Sequence, residues 1–390
     1  EQKARSKQAQ TKEAGDWQDV FGGEGTAFEG YEHTELTDVH IRRWRKLTTQ
    51  AGESVQVVLD RTPFYAESGG QVGDTGWLKS PEETLNVLDT RYENDQIVHL
   101  CDCAPVEPEA DWTAAIDRPR RERIRANHSA THLLHEALRR VLGEHVEQRG
   151  SLVAPEYLRF DFSHFQKLTA DELTEVQQLV NAKIAGAIPL EERRRVPIAD
   201  AKAMGARALF GEKYGEEVRV IRFSEDYSTE LCGGTHVPNT LHIRYFHITG
   251  ESAVAAGVRR IEAITGEAAL SFMDEQLHKL AEMKRLLKQP KDLVAAVENL
   301  VSENKRLGKQ VEALQQQQAN LLRDQLLAQV ESYGDVQALL AEVEVDSADA
   351  LKKLVMALRG KLGRGLVLLG TVAGGKPLLS GSSTEELIAS

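Results

Sequence analysis

The sequence contains the stretch Asn127-His-Ser-Ala-Thr-His-Leu-Leu-His-Glu-Ala-Leu-Arg-Arg-Val-Leu142, in which apolar residues recur every three or four positions. This period predicts an amphipathic helix over 127–142, ended by Gly143. The apolar stripe consists of Ala130, Leu133, Leu134, Ala137, Leu138 and Val141. His128 and His132 are four residues apart, so both imidazoles leave one face of this helix, opposite the stripe. They form half of a metal site with fixed geometry.

A second cluster, Cys232-Gly-Gly-Thr-His236, supplies the other half. Its two glycines allow a tight turn that brings a thiolate and an imidazole to a common point. Three imidazoles and one thiolate are a donor set that zinc prefers. Two alternatives are ordinary buried histidines beside a small buried cysteine, and a nucleophilic Cys232 activated by His236. Finding both clusters favours zinc over either alternative.

The overall composition narrows the protein class. At 390 residues the chain predicts several domains, and three cysteines are too few for a disulfide framework. No apolar run approaches the length of a membrane span, and the polar start lacks the apolar core of a signal peptide. We therefore expect a cytoplasmic protein without a membrane segment.

The net charge of -12 argues against broad binding of nucleic acid. Five arginines nevertheless fall within eight residues just before His128: Arg118, Arg120, Arg121, Arg123 and Arg125. They predict either a basic rim beside the metal site or a solvated helix face.

Composition and periodicity change along the chain and predict a multidomain α+β protein. Alternating apolar residues indicate strands of a small β-barrel, whereas a heptad pattern after Pro290, with Asn304 in a core position, indicates an antiparallel helical hairpin or coiled coil. The predicted divisions are a helical end and linker (1–26), the β-barrel (27–116), a zinc-binding α+β core (117–265), the helical hairpin (266–330) and an incomplete α/β C-terminal domain (331–390).

Glycines crowd the stretch from Thr62 to Gly76, in the predicted barrel. They admit two interpretations, a backbone that closely approaches a ligand and turns that connect strands.

The run from Asn127 to His135 resembles the editing domain of the alanyl-tRNA synthetase family. Further motifs agree in order: the hairpin from Pro63 to Gly76, Arg149-Gly-Ser-Leu-Val153, Leu158-Arg-Phe-Asp-Phe-Ser-His164, Leu209-Phe-Gly-Glu-Lys-Tyr214, Ser228-Thr-Glu-Leu-Cys-Gly-Gly-Thr-His236 and Ala256-Gly-Val-Arg-Arg-Ile-Glu-Ala263. The likeness extends over residues 1–390. No part resembles the family's aminoacylation domain, which binds ATP and would precede Glu1, so we expect no activation of alanine by this chain.

The resemblance implies hydrolysis of the ester between serine or glycine and alanine tRNA, with His128, His132, Cys232 and His236 as zinc ligands. Whether zinc organises the pocket or activates water is left open. Thr131 and Gln148 match positions that affect editing; a Thr bonded to its own helix and a Gln in a polar loop are the alternatives.

The resemblance also implies partners. Arg259 and Arg260, which follow Gly257, are expected to reach phosphates or the terminal adenosine of the tRNA acceptor end, with surface salt bridges as the competing interpretation. The C-terminal region is expected to bind tRNA and to form a homodimer. A noncatalytic, zinc-stabilised module for tRNA binding and dimerisation is the alternative function.

Overall fold

The computed structural model describes residues 13–23, 25–49, 52–208, 215–345 and 347–388. The predicted helical start (residues 1–12) and the Leu209–Tyr214 motif lie outside these ranges. The chain divides into two compact units, one ending at His278 and one starting at Lys279. In the described ranges, helices and several sheets alternate, and no helix is both long and apolar enough to cross a membrane.

The first part of the chain, predicted as a β-barrel and called the barrel below, consists of strands. Its strands are β1 (Glu13–Ala14), β2 (Gln18–Asp19), β3 (Ala27–Phe28), β4 (Glu35–Val39), β5 (Ile41–Thr49), β6 (Gly52–Leu59), β7 (Arg61–Thr62), β8 (Gly76–Lys79), β9 (Thr84–Glu93), β10 (Gln96–Cys101) and β11 (Trp112–Ile116). The main sheet is antiparallel in the order β1-β5-β6-β10-β9-β8-β11-β4, and β2 also pairs with β5. β3 and β7 form a separate parallel pair.

Chain connectivity shows why this sheet is rolled. β4 and β5 lie near opposite ends of the strand order, yet the single residue His40 joins them. Side chains from strands along the whole sheet, including Val57, Leu85 and Trp112, then share one apolar core. Residues 13–19, which the sequence placed in a helical end and linker (1–26), instead contribute β1 and β2, because their backbone groups pair with β5.

The region predicted to bind metal, called the metal-binding core below, follows the barrel. Its elements are α1 (Arg118–Leu142), β12 (Gln148–Val153), β13 (Leu158–Ser163), α2 (Ala170–Ala185), β14 (Glu191–Pro197), α3 (Ile198–Ala203), β15 (Glu217–Phe223), β16 (Ser228–Leu231), a 3₁₀ turn (Thr240–Ile243), β17 (Phe246–Ala255) and β18 (Val258–Thr265). Two antiparallel sheets, β12-β13-β18-β17 and β14-β15-β16, result. The predicted apolar stripe of α1 packs into the same core as residues of β13 and α2.

Helix α1 begins nine residues before the predicted start at 127. Asp117 caps it by accepting a hydrogen bond from the backbone N–H of Arg120, and a proline occupies the first turn, where its missing N–H costs nothing. The arginine cluster therefore lies on the first turns of the helix. Arg121 is fully buried and ion-paired with Asp74 of the barrel, so the cluster is not a uniform basic rim.

Two helices follow the core, α4 (Gly266–Leu286) and α5 (Leu293–Leu327). Positive φ angles at Lys288 and Gln289 precede Pro290 and separate them. The heptad positions lie on one uninterrupted helix of 35 residues, and its leucines Leu300, Leu307 and Leu314 are exposed. The predicted hairpin pairing stays a prediction.

The C-terminal elements are β19 (Glu331–Tyr333), β20 (Val336–Glu342), α6 (Ala348–Arg359), β21 (Gly365–Ala373), β22 (Lys376–Ser383) and α7 (Glu385–Ile388). The strands form one sheet in chain order, with β20 and β21 parallel and the other pairs antiparallel. Helix α6 connects the parallel pair, as a βαβ unit requires, and buries Leu354 and Leu358 against the sheet. The segment predicted as an α/β domain thus contains helices and a mixed sheet.

Candidate metal centre

Four side chains converge at one buried point of the metal-binding core. Helix α1 supplies His128 and His132, and the loop after β16 supplies Cys232 and His236. Their candidate ligand atoms all lie within 4.8 Å of one another. The Cys232 Sγ is 3.4 Å from His128 Nε2 and 3.3 Å from His236 Nε2. The structure thus brings together the four residues that the sequence predicted as ligands.

Each imidazole is held through its Nδ1 by a different partner. The Nδ1 of His128 lies 2.8 Å from Gln71 Oε1, that of His132 contacts a Glu230 carboxylate oxygen, and that of His236 lies 3.3 Å from the Ser129 hydroxyl. The amide oxygen and the carboxylate accept hydrogen bonds, so the Nδ1 atoms of His128 and His132 carry the proton. In the neutral form of these two rings, Nε2 then carries the lone pair that a metal ion would bind.

The observed donor set fits a zinc ion. The Nε2 of His132 is buried and has no hydrogen-bond partner among the described residues. Leaving such a group unpaired costs about 1–3 kcal/mol, and a bound cation would satisfy it. Three imidazole nitrogens beside one thiolate are a combination found in zinc sites.

The electrostatics favour the ligand form of the cysteine. Burial alone would raise the pKa of Cys232, but the imidazoles of His128, His236 and His132 hold this pKa well below its ordinary value. Burial lowers the pKa of His236 well below the usual histidine range. The pKa of His132 shifts the other way, to about 10, because Glu230 and Cys232 outweigh its burial.

Glu230 is a buried residue that the sequence did not identify as functional, and it hydrogen-bonds to one of the four candidate ligands. Glu230 bridges the Nδ1 atoms of His132 and His135, the latter at 2.8 Å, and these histidines hold its pKa below the usual range despite burial. Spacing offered a signal, since residues two apart in an extended chain, such as Glu230 and Cys232, point to the same side. Glu230 therefore fixes the orientation of His132.

Hydrogen bonds from side chains to backbone carbonyl oxygens hold the loop that carries Cys232. Arg219 donates to the carbonyl oxygens of Cys232 at 2.9 Å and Gly234 at 2.5 Å, and the Tyr31 hydroxyl donates to Gly233 at 2.5 Å. A Cβ at Gly234 would lie 2.0 Å from a ring carbon of His128. The loop approaches the helix so closely that only glycine fits there.

The residues predicted to act on substrate occupy two different places. Thr131 is buried, and its hydroxyl donates to the Asn127 carbonyl at 2.9 Å, the helix-bonded arrangement left open by the sequence. Gln148 starts β12 and lines a cavity of about 450 Å³ together with His135, Arg139 and Arg207. The Nε2 of His135 is buried and has no partner among the described residues.

The predicted tRNA contacts Arg259 and Arg260 have partners within the protein. Gly257 adopts a positive φ of 71° in the turn between β17 and β18. Arg259 Nε lies 2.5 Å from Glu251, and Arg260 binds both carboxylate oxygens of Asp161, at 2.6 and 2.8 Å. These are the salt bridges that the sequence left as the competing interpretation, and a role in tRNA binding stays a prediction.

Comparisons with known proteins identify two family matches. Residues 218–262 match the family described as threonyl and alanyl tRNA synthetase second additional domain, and this segment carries Cys232 and His236. Residues 1–120 match the family described as tRNA synthetases class II (A). That match covers the barrel. The motifs of the sequence alone had indicated no likeness to the family's aminoacylation domain in this region.

Several alanine–tRNA ligases are similar in sequence to this chain over nearly its whole length. The chain is 45% identical over 388 residues to the alanine–tRNA ligase of Cytophaga hutchinsonii, with 100% of the chain covered. It is 46% identical to the corresponding ligases of Christiangramia forsetii, over 389 residues and 99% of the chain, and Bacteroides fragilis, over 391 residues and 100% of the chain. The chain spans 44% of the length of each of these three relatives.

Proposed function

The chain belongs to the alanyl-tRNA synthetase family, and from this premise we propose that it hydrolyses the ester joining misattached serine or glycine to alanine tRNA. The observation that carries the proposal is the buried convergence of His128, His132, Cys232 and His236. Hydrolysis adds water across the ester, releasing the free amino acid and restoring the ribose hydroxyl. It requires a positioned water and stabilisation of charge on the carbonyl oxygen.

The four residues are proposed to hold zinc. When bound, zinc would supply Lewis acidity and a rigid anchor for the pocket. The chain prepares the ligands without the ion, because Gln71, Glu230 and Ser129 already orient the three imidazoles.

Thr131 is proposed as a selectivity residue. Its hydroxyl proton is donated to Asn127, which leaves the oxygen able to accept a hydrogen bond from a serine hydroxyl. Alanine lacks that hydroxyl, and a site built to bind a hydroxyl discriminates strongly against an analogue without it. Glycine must be separated from alanine by size, and one methyl group supplies only about 1–3 kcal/mol.

Gln148 is proposed to contact the amino acid from the neighbouring cavity, whose volume falls within the range of small-molecule sites. Arg259 and Arg260 are proposed to meet the acceptor end of alanine tRNA, because arginine binds phosphate through two parallel hydrogen bonds. A homodimer through the C-terminal region and a cytoplasmic location complete the proposal.

The test measures deacylation of seryl-, glycyl- and alanyl-tRNA(Ala) by this chain, with bound zinc quantified. We expect seryl and glycyl esters to be hydrolysed and the alanyl ester to be spared. Cys232→Ala should lose both zinc and hydrolysis. Cys101→Ala is the matched control, since Cys101 is also fully buried but lies in the barrel core. The proposal fails if the zinc-loaded protein spares all three esters, or if a zinc-free Cys232→Ala protein hydrolyses them normally.

A Thr131→Val protein separates catalysis from binding. It should retain zinc and tRNA binding but hydrolyse the seryl ester more slowly relative to the glycyl ester. An unchanged ratio of the two rates would remove Thr131 from the selectivity site.

A further inference from the structure

One residue of the barrel lies against the metal centre. Gln71 is completely buried, and its Oε1 accepts hydrogen bonds from His128 Nδ1 at 2.8 Å and from the Thr235 backbone N–H at 2.9 Å. Its Nε2 donates to the Thr235 hydroxyl at 3.0 Å. One side chain therefore binds a ligand on α1 and the loop that carries the other two ligands.

The orientation of this amide is determined by its neighbours. The Thr235 backbone N–H can only donate, so the atom facing it must be the amide oxygen. That same oxygen faces His128 Nδ1, which must then carry the ring proton. The Gln71 side chain thus selects the neutral tautomer of His128 in which Nδ1 carries the proton and Nε2 does not.

Backbone geometry explains how Gln71 reaches the site. Ser68 and Gln71 exchange backbone hydrogen bonds around Gly69 and Gly70, whose φ angles of 58° and 83° are the signature of a tight turn with two left-handed residues. A Cβ at Gly70 would lie 2.7 Å from the carbonyl oxygen of Ser151.

The turn is also anchored to the metal-binding core. Val153 of β12 donates its backbone N–H to Gly70 at 2.7 Å, and Val72 donates to Val153 at 3.1 Å. The glycines form a turn, as one of the two interpretations predicted, and the close approach that they allow is to a strand of the core. These contacts fix the backbone on both sides of Gln71.

We propose that Gln71 is a positioning residue for the metal centre, through which the barrel fixes the tautomer of His128 and the distance between α1 and the Cys232–His236 loop. The barrel then completes the metal site as well as covering it. The consequence for ester hydrolysis rests on the proposed function, whereas the consequence for metal binding stands apart from it.

Three variants test this role in the full chain. Gln71→Met keeps size but removes both the acceptor and the donor. Gln71→Glu keeps acceptor oxygens for His128 and Thr235. Gln56→Met is the matched control, because Gln56 is a buried barrel glutamine whose side chain bonds to Arg45 and Glu93.

The readouts are zinc affinity, measured by competition with a chelator, and the visible spectrum of the Co²⁺-substituted proteins. Gln71→Met should bind zinc about 10–100-fold more weakly, as expected for loss of a residue that orients a ligand. Its thiolate-to-cobalt and d–d bands should shift. Gln71→Glu and Gln56→Met should keep the affinity and the tetrahedral spectrum of the parent.

Two outcomes overturn the proposal. One is a Gln71→Met protein with parental zinc affinity and cobalt spectrum. The other is a folded Gln71→Glu protein whose zinc binding is weakened 10-fold or more, which decides the matter even if Gln71→Met does not fold. A parent that binds zinc with the predicted spectrum but leaves every ester intact would refute the proposed hydrolysis while leaving the role of Gln71 standing.

Discussion

Two buried histidines, His99 of the barrel and His132 of the metal centre, have opposite environments. Thr62 donates its hydroxyl to His99 Nε2 at 2.8 Å, and His99 Nδ1 lies 3.1 Å from the Val57 carbonyl. His132 Nδ1 bonds to Glu230, and its Nε2 has no partner at hydrogen-bond distance among the described residues. Burial is nearly equal, so the difference lies in the second ring nitrogen.

The two histidines show how a structural histidine differs from a candidate metal ligand. A folded protein leaves few buried polar atoms unpaired, and each exception needs an explanation. His99 needs none, since both nitrogens are satisfied within the barrel. At His132 the unpartnered nitrogen belongs to the group of candidate ligand atoms, with those of His128, Cys232 and His236, that lie within 4.8 Å of one another.

The largest expected effect comes from removing the metal. Zinc present at a thousand times its dissociation constant should raise the free energy of unfolding by about 4 kcal/mol. Adding a chelator should remove this stabilisation, which calorimetry measures as a lower melting temperature. His132→Ala should respond to neither zinc nor chelator, whereas His99→Gln should respond like the parent. Equal responses of both variants would erase the contrast between the two histidines.

The pH dependence of His99 gives the next largest effect. Burial lowers the pKa of His99 to about 4, against the opposing hydrogen bond to Val57. An unfolded histidine titrates near pH 6.5, so between about pH 6.5 and 4 the unfolded chain binds a proton that the folded chain does not. The free energy of unfolding should therefore fall by about 3 kcal/mol across this window, and it should be unaffected at higher pH.

Urea unfolding in the presence of a chelator isolates this effect from metal binding. The stability difference between the parent and His99→Gln should decrease as the pH falls from 7 to 4. A difference that stays constant over that range would show that His99 is not held neutral by burial.

The smallest effect is expected at Glu230. His132 and His135 bond to different carboxylate oxygens of Glu230, and Gln in its place keeps one of these acceptors but puts an amide donor at the other. Zinc binding by Glu230→Gln should weaken about tenfold, or about 1.4 kcal/mol, in chelator competition. Glu136→Gln is the control, because Glu136 is buried on α1 but pairs with Arg140 and Arg207. An unchanged affinity for Glu230→Gln would mean that His132 needs no support.

Local spacing explains what the sequence could predict. The two histidines of α1 share a face because of the helical repeat, and the loop from Cys232 to His236 is short enough to act as a unit. The apolar stripe located α1, and Asp117 with the proline after Arg118 explains its earlier start. Alternating apolar residues likewise indicated strands between residues 27 and 116, where the structure has them.

Long-range contacts explain what the sequence left open. Gln71 and Thr235 are 164 residues apart, and no periodicity links them. The burial of Arg121 was equally hidden, because it depends on Asp74 and on the carbonyl oxygens of Gly30 and Pro63. A single sequence records which residues can bind a metal, but it does not record which distant residues orient them.

The one-residue link between β4 and β5 has a consequence for the order of folding during synthesis. β5 can pair with β6 almost as soon as both emerge, since the two strands are nearly adjacent in the chain. β4 can pair only after β11 has been synthesised, because Val39 of β4 pairs with Trp112 of β11, about 70 residues later in the chain. Closing so long a loop is slow compared with forming a hairpin. Until β11 has been synthesised, β4 lacks its partner strand and the unfinished sheet has an unpaired edge.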